Sequence, residues 1–93
     1  MLTLPLVTAV TVFGDPSFTA NQTFDRGTST DDGVFARRDD GASLALLKTY
    51  SGVLRSYCDE NDTFCASGDS LDTHYAEVGK YAQAATDFVV GLA

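Results

Sequence analysis

Basic residues are scarce in this chain: six Lys and Arg stand against 13 Asp and Glu, a formal net charge of −7 over 93 residues. Only Arg37 and Arg38 are neighbours. A groove that neutralises phosphates needs clustered cations, so neither nucleic acid nor an anionic membrane surface is expected as a partner. Long apolar runs are also missing. The longest candidate, Met1 to Phe13, is interrupted by Thr3, Pro5, Thr8 and Thr11 and falls short of the roughly 18 residues that a spanning helix requires. The same stretch lacks the basic start of a signal peptide, and Gly14-Asp15-Pro16 follows it in place of a small-residue cleavage site. Histidine occurs once, at His74, and cysteine twice, at Cys58 and Cys65.

What is present is enough apolar material for a core. Hydrophobic residues make up 44% of the chain and aromatics 11%, too much for a disordered segment. Length allows one small domain and excludes two. Val7 to Phe13 reads V-T-A-V-T-V-F, β-branched and aromatic, bounded by Pro5 and the Gly-Asp-Pro turn, and predicts a buried strand. Ser17 to Gly41 is polar and turn-rich, too long for a plain connection, and is expected to be a functional loop or a pair of short strands near Thr23 and Val34.

Leu44, Leu47, Tyr50, Leu54 and Tyr57 fall on one helical face and predict an amphipathic helix over 43–57 with Ser43 as N-cap. Val78, Tyr81, Ala82, Ala85, Phe88, Val89 and Leu92 form a second stripe and predict a helix from about Ala76 to Leu92. The order strand, long loop, helix, compact loop, helix belongs to an α/β protein. A single core strand lacks the neighbours that a buried parallel-type strand needs, so the chain reads as part of a larger domain.

Cys58 and Cys65 flank six residues of turn-forming sequence. A disulfide there would remove about 2.5 kcal/mol of loop entropy from the unfolded chain and would point to an oxidising, extracellular compartment. Two unpaired thiols are the plain alternative. A zinc site with His74 as third ligand is disfavoured, because two cysteines that grip one zinc are normally two to four residues apart. His74 lies within 15 positions of Asp59, Asp62, Asp69 and Asp72, and any one of these carboxylates on Nδ1 would fix the tautomer in which Nε2 is a base. Asp62 sits inside the ring that the cysteines would close, whereas Asp72, two residues before His74, suits capping. A lone histidine is otherwise an ordinary surface or capping residue.

The run Ser56-Tyr57-Cys58-Asp59-Glu60-Asn61-Asp62-Thr63-Phe64-Cys65, then Thr73-His74 and Tyr81, resembles the C-terminal part of the fungal cutinase and acetylxylan esterase family. The Phe13-Gly14-Asp15-Pro16 turn resembles it too, and Gly27-Thr28-Ser29 more loosely. The likeness extends from about residue 7 to residue 90. It implies the C-terminal fragment of a cutinase-like α/β-hydrolase sandwich, with residues 1–93 as a partial domain. It also implies a Cys58–Cys65 disulfide that brackets Asp62, with His74 as the base and Asp62 as the carboxylate that orients it in the Ser-His-Asp triad of a secreted serine esterase. The substrate implied is a cutin-like polyester or acetylated xylan, with no metal or other cofactor and a monomeric full-length enzyme.

The family's nucleophile lies in a Gly-x-Ser-x-Gly elbow between strand and helix. The nearest string here, Gly41-Ala42-Ser43-Leu44-Ala45, lacks the second Gly and does not follow a strand, so Ser43 is read as an N-cap and the chain alone is expected to be inactive. A non-catalytic secreted remnant that binds a partner is the competing expectation, and an unrelated acidic helical protein a third. Phe64 and Leu71 are either acyl-site lining or loop anchors. Asn21 and Asn61 stand in glycosylation sequons, and a glycan on Asn61 would crowd Asp62.

Overall fold

A computed structural model describes residues 7–93. Strand β1, Val10–Phe13, is followed by a two-residue strand β2, Asp25–Arg26, helix α1, Ala42–Lys48, a single 3-10 turn, Ser51–Val53, strand β3, Leu54–Tyr57, and the long helix α2, Leu71–Gly91. The strands form one parallel sheet in the order β1-β3-β2. Val10 lies opposite Leu54 and Phe13 opposite Tyr57, while Asp25 and Arg26 flank Ser56 and Tyr57 on the other side. Parallel strands cannot be joined by a tight hairpin, so the chain crosses over between β1 and β3, and α1 lies in that crossover.

The α/β class therefore holds, with three strands where the sequence predicts one core strand and, as one option, short strands near Thr23 and Val34. Leu54 and Tyr57, placed on a helix by their spacing, are strand residues. They reach that strand because α1 stops at Lys48 and the 3-10 turn containing Gly52 intervenes. Strand β3 is the central strand and is buried along most of its length. Alternation along it sends Leu54 to one face and Tyr57 to the other. Leu54 joins Phe24 and Leu44 in a core cluster flanked by Val10 and Leu47, which docks α1 on the sheet. Tyr57 stacks between Phe13 and Tyr81, with ring centroids 5.2 and 5.0 Å away, and Arg55 lays its guanidinium over Phe88 of α2 at 4.1 Å. The two helices thus cover opposite faces of the sheet.

Several local expectations shift. The first strand is shorter than 7–13, and Val7 is exposed. Of the two short strands looked for near Thr23 and Val34, the first exists as β2, and the chain at Val34 is a turn. Gly41, not Ser43, is the N-cap of α1. Ser43 lies one residue inside the helix, where its Oγ accepts a hydrogen bond from Arg37 Nε at 2.8 Å. Helix α2 starts five residues earlier than predicted because Ser70 caps it, its Oγ accepting from the Thr73 amide at 3.1 Å, so Asp72 lies in the first turn without being the cap. The stripe on α2 is only partly covered: Ala85 is buried, but Val78 and Val89 are exposed along a groove that they share with Phe13 and Ala82. No helix among the described residues is long and apolar enough to cross a membrane.

Candidate active site

The site lies at the carboxyl end of the sheet, where α/β proteins place their ligands. Strand β3 runs directly into Cys58, and the loop that follows is closed by the Cys58–Cys65 disulfide, whose Cα atoms are 6.0 Å apart. Both sulfurs are fully buried in a cluster with Phe18 and Ala66. The bridge settles the choice between disulfide and free thiols, and it removes both thiolates that a zinc site would have required.

Inside this ring the backbone winds around Asp62. Its carbonyl accepts from the amides of Ala66 and Gly68, and its residue pairs across an isolated bridge with Ser70, the cap of α2. Gly68 permits this closure, since a Cβ there would stand 2.3 Å from the Asn61 carbonyl oxygen. The Asp62 side chain is completely buried. Oδ1 accepts from the amides of Phe64 at 2.7 Å and Cys65 at 2.9 Å, and Oδ2 lies 2.9 Å from His74 Nδ1. Burial alone would raise the Asp62 pKa. The neighbouring Glu77 carboxyl, the two amides and His74 outweigh it and hold the carboxyl below its usual range.

His74 occupies the first turn of α2, with its side chain 24% exposed. One edge of the imidazole is therefore fastened to Asp62 while the ring keeps access to solvent. Phe64 packs edge-on against it at 4.7 Å between centroids, and Tyr75 does so at 5.5 Å. Phe64 is thus a neighbour of the imidazole as well as part of the loop, whereas Leu71 is an exposed residue at the start of α2. The floor is Gly14, directly after β1, with φ +63 and its amide bonded to the Tyr57 carbonyl.

Adding a Cβ at Gly14 would place it 2.5 Å from His74 Cε1 and 2.6 Å from Nδ1, so Gly14→Ala must displace the imidazole as well as strain the backbone. We expect this variant to pull His74 Nδ1 away from Asp62, seen as a change in the His74 ring resonances by nitrogen-15 NMR, with circular dichroism to confirm folding. Unchanged ring resonances would show that Gly14 does not set the position of the imidazole.

Two elements of the site were not visible as such in the sequence. Asp59, nearly buried, gathers Lys80 Nζ at 2.7 Å, the Tyr81 hydroxyl, and the Thr28 amide and hydroxyl, which ties α2 and the long loop to the disulfide loop. Burial would raise its pKa, but these donors and the Lys80 charge more than compensate and hold it low. Glu77, one helical turn after His74, is 0% exposed and accepts the Asp59 amide on Oε1 at 2.9 Å. Burial, together with Asp62 and Asp59 nearby, pushes its pKa up to about 8. The i, i+3 spacing of His74 and Glu77 was the available signal, because it places both on one face. Asp62, His74 and Glu77 hold ligand-type atoms within 4.8 Å of one another, close enough for three metal ligands, but His74 Nδ1 and both Asp62 oxygens are already hydrogen-bonded. Asp69 and Asp72 are exposed, and neither side chain is hydrogen-bonded to His74.

Residues 3–92 match the family described as Cutinase. Acetylxylan esterase 2 of Talaromyces purpureogenus is 32% identical over 84 residues, which are 90% of this chain and 34% of that protein. Cutinase 11 of Verticillium dahliae is 34% identical over 91 residues, 95% of this chain and 29% of that protein. The catalytic core domain of acetyl xylan esterase from Trichoderma reesei superposes with a TM-score of 0.81 at 26% identity, covering 92% of this chain and 39% of that domain. An acetylxylan esterase solved at 0.90 Å gives 0.82 at 28% identity, with 94% and 40% covered. The chain thus spans about a third of the length of these curated relatives and two fifths of the solved domains. With matching sequence along nearly its whole length and a matching fold, the chain belongs to the cutinase family.

Proposed function

We propose that these 93 residues are the C-terminal part of a secreted serine carboxylesterase domain, with His74 as general base and acid and Asp62 as the carboxylate that orients it. The observation that carries this reading is the Asp62 Oδ2 to His74 Nδ1 contact of 2.9 Å, with the carboxylate completely buried and the imidazole partly open. In the reaction, His74 Nε2 takes the proton of a serine hydroxyl as its oxygen attacks the ester carbonyl. The same proton then passes to the leaving alcohol as the acyl-enzyme forms. Water repeats the sequence, giving up a proton to His74 as it releases the acid and restores the serine. Asp62 stabilises the imidazolium at each stage.

The serine is assigned to sequence outside this chain. Among the described residues no serine hydroxyl is hydrogen-bonded to His74, and Ser43 is engaged with Arg37 in α1. The exposed apolar groove along Val78, Ala82 and Val89 supports the same reading, since further strands of a larger domain would cover it. The buried disulfide suits an oxidising, extracellular setting. The names of the relatives point to acetylated xylan or cutin-like polyester as the substrate class.

The test compares p-nitrophenyl acetate hydrolysis by the 93-residue chain with that by the product of the reading frame extended upstream, each beside its His74→Ala variant. We expect no turnover by the short chain and at least a 10⁴-fold loss in the extended His74→Ala enzyme. Turnover by the short chain that disappears in Ser43→Ala would overturn the assignment of the nucleophile, and an active His74→Ala enzyme would overturn the triad.

A further inference from the structure

Beneath the Asp62–His74 pair lies a third acidic group that the triad does not use. Glu77 is wholly buried, and although Oε1 takes the Asp59 amide, Oε2 is buried without a partner that donates to it. An ionised carboxylate in that position would carry an unpaired oxygen beside two further carboxylates, Asp59 and Asp62, with no cation of its own. A neutral carboxyl removes both problems, because its O–H becomes a donor. The acceptor is at hand, since polar side-chain atoms of Glu77, Asp62 and His74 all lie within 4.8 Å of one another. Asp62 Oδ1 already receives two amides, but Oδ2 receives only His74 Nδ1 and keeps a lone pair free.

Resting on the triad reading above, we infer that Glu77 is a positioning residue whose neutral carboxyl donates a hydrogen bond to Asp62 and holds that carboxylate against His74. Two carboxyl groups then share one proton, with Asp62 as the ionised member. The directions of the two pKa shifts agree with this assignment, Glu77 raised and Asp62 lowered, each in part through the other.

The charged and titratable groups around Glu77 are few. The disulfide loop contributes Asp59 and Asp62, and α2 contributes His74, with Lys80 and Tyr81 held on Asp59. From the β1 side comes uncharged Gly14, where a Cβ would stand 2.9 Å from Glu77 Oε2, and the two cysteines are locked in the disulfide. Lys80 therefore compensates Asp59 and leaves the Glu77–Asp62 pair to manage its own charge. Loss of the Glu77 proton withdraws the donor from Asp62, so kcat should fall as pH rises through about 8.

The experiment uses the extended, active protein in two readouts. Carbon-13 NMR of labelled Glu side chains follows the titration of Glu77 directly, assigned by its absence from the Glu77→Gln spectrum. We expect a midpoint near 8, against the ordinary 4.5 of glutamate. Kinetics then compare Glu77→Gln, which keeps a neutral donor, with Glu77→Leu, which keeps neither donor nor acceptor. Leu should lower kcat roughly 30- to 100-fold with KM little changed, and Gln should recover at least tenfold of that loss while removing the inflection near pH 8 from the kcat profile.

A Glu77 that titrates in the ordinary carboxyl range overturns the inference, and so do Gln and Leu variants of equal kcat. If Leu fails to fold, the NMR midpoint and the Gln pH profile still decide. An active His74→Ala enzyme would instead sink the triad, while the carboxyl titration reports on Glu77 in either case.

Discussion

We expect Asp62→Asn to lower kcat by about 10⁴-fold in the extended protein while leaving the fold intact, the scale that follows from the proposed triad when its orienting carboxylate is neutralised. The reason is visible in the hydrogen bonds. Two backbone amides, those of Phe64 and Cys65, donate to Oδ1. An asparagine must therefore place its carbonyl oxygen there, because its NH₂ group cannot accept from them. The NH₂ then occupies the position of Oδ2 and points its hydrogens at His74 Nδ1. To receive them the imidazole must carry its own proton on Nε2, the atom proposed to act as base. The variant is nearly isosteric, so its activity and its thermal midpoint should separate, with the first collapsing and the second shifting little. Hydrolysis of p-nitrophenyl acetate and nitrogen-15 NMR of the His74 tautomer are the measurements. A kcat within tenfold of the parent would remove Asp62 from the triad.

The second large effect is on stability and concerns pH. Glu77 has a folded pKa near 8 and an ordinary value of 4.5, so between those limits the folded protein holds a proton that the unfolded chain has released. Stability then falls as pH rises, is greatest below 4.5 as far as this group is concerned, and levels off above 8. At about 1.36 kcal/mol for each pKa unit, the loss across that window is on the order of 5 kcal/mol, a large part of the stability of a small domain. Asp25, pushed up to about 6 by burial, adds to the same fall below pH 6. Asp59 and Asp62 act in the opposite sense. Their depressed values mean that their stabilisation is present above the ordinary aspartate pKa of 3.8 and is lost as pH drops through their folded values. Urea midpoints should therefore be higher near pH 5 than near pH 8, and Glu77→Gln should flatten the difference to what Asp25 leaves. Equal midpoints at the two pH values for the parent protein would show that Glu77 does not retain its proton.

How much of this was legible in the sequence depended on how local the cause was. The Cys58, Asp62, Cys65 and His74 pattern is a matter of chain offsets. The structure places all four together because a short disulfide loop runs straight from a strand end to a capped helix. The strand at Val10–Phe13 and the helix ending near Gly91 likewise follow from β-branched composition and helical period.

Strand β3 did not follow, because Leu54 and Tyr57 continue the three- and four-residue spacing of the preceding helix. A four-residue strand in mid-sheet carries no alternation long enough to compete with that spacing. Pairing with β1 and β2, elements 44 and 29 residues earlier by their first residues, is what makes it a strand. The exposure of Val78 and Val89 was hidden for a related reason, since a periodic stripe identifies the apolar face of a helix but not what lies against it.

Sequence alone thus determined the family likeness, the α/β class and the pairing of Asp62 with His74 beside the disulfide, because these depend on offsets and composition within one stretch of chain. The tertiary structure decided the central strand, the clasp of Asp59 by Thr28, Lys80 and Tyr81, and the burial of Glu77 beneath Asp62. Each of these joins segments from 15 to 44 residues apart. Burial and sheet pairing are properties of what surrounds a residue, and the surroundings exist only once distant parts of the chain have packed together.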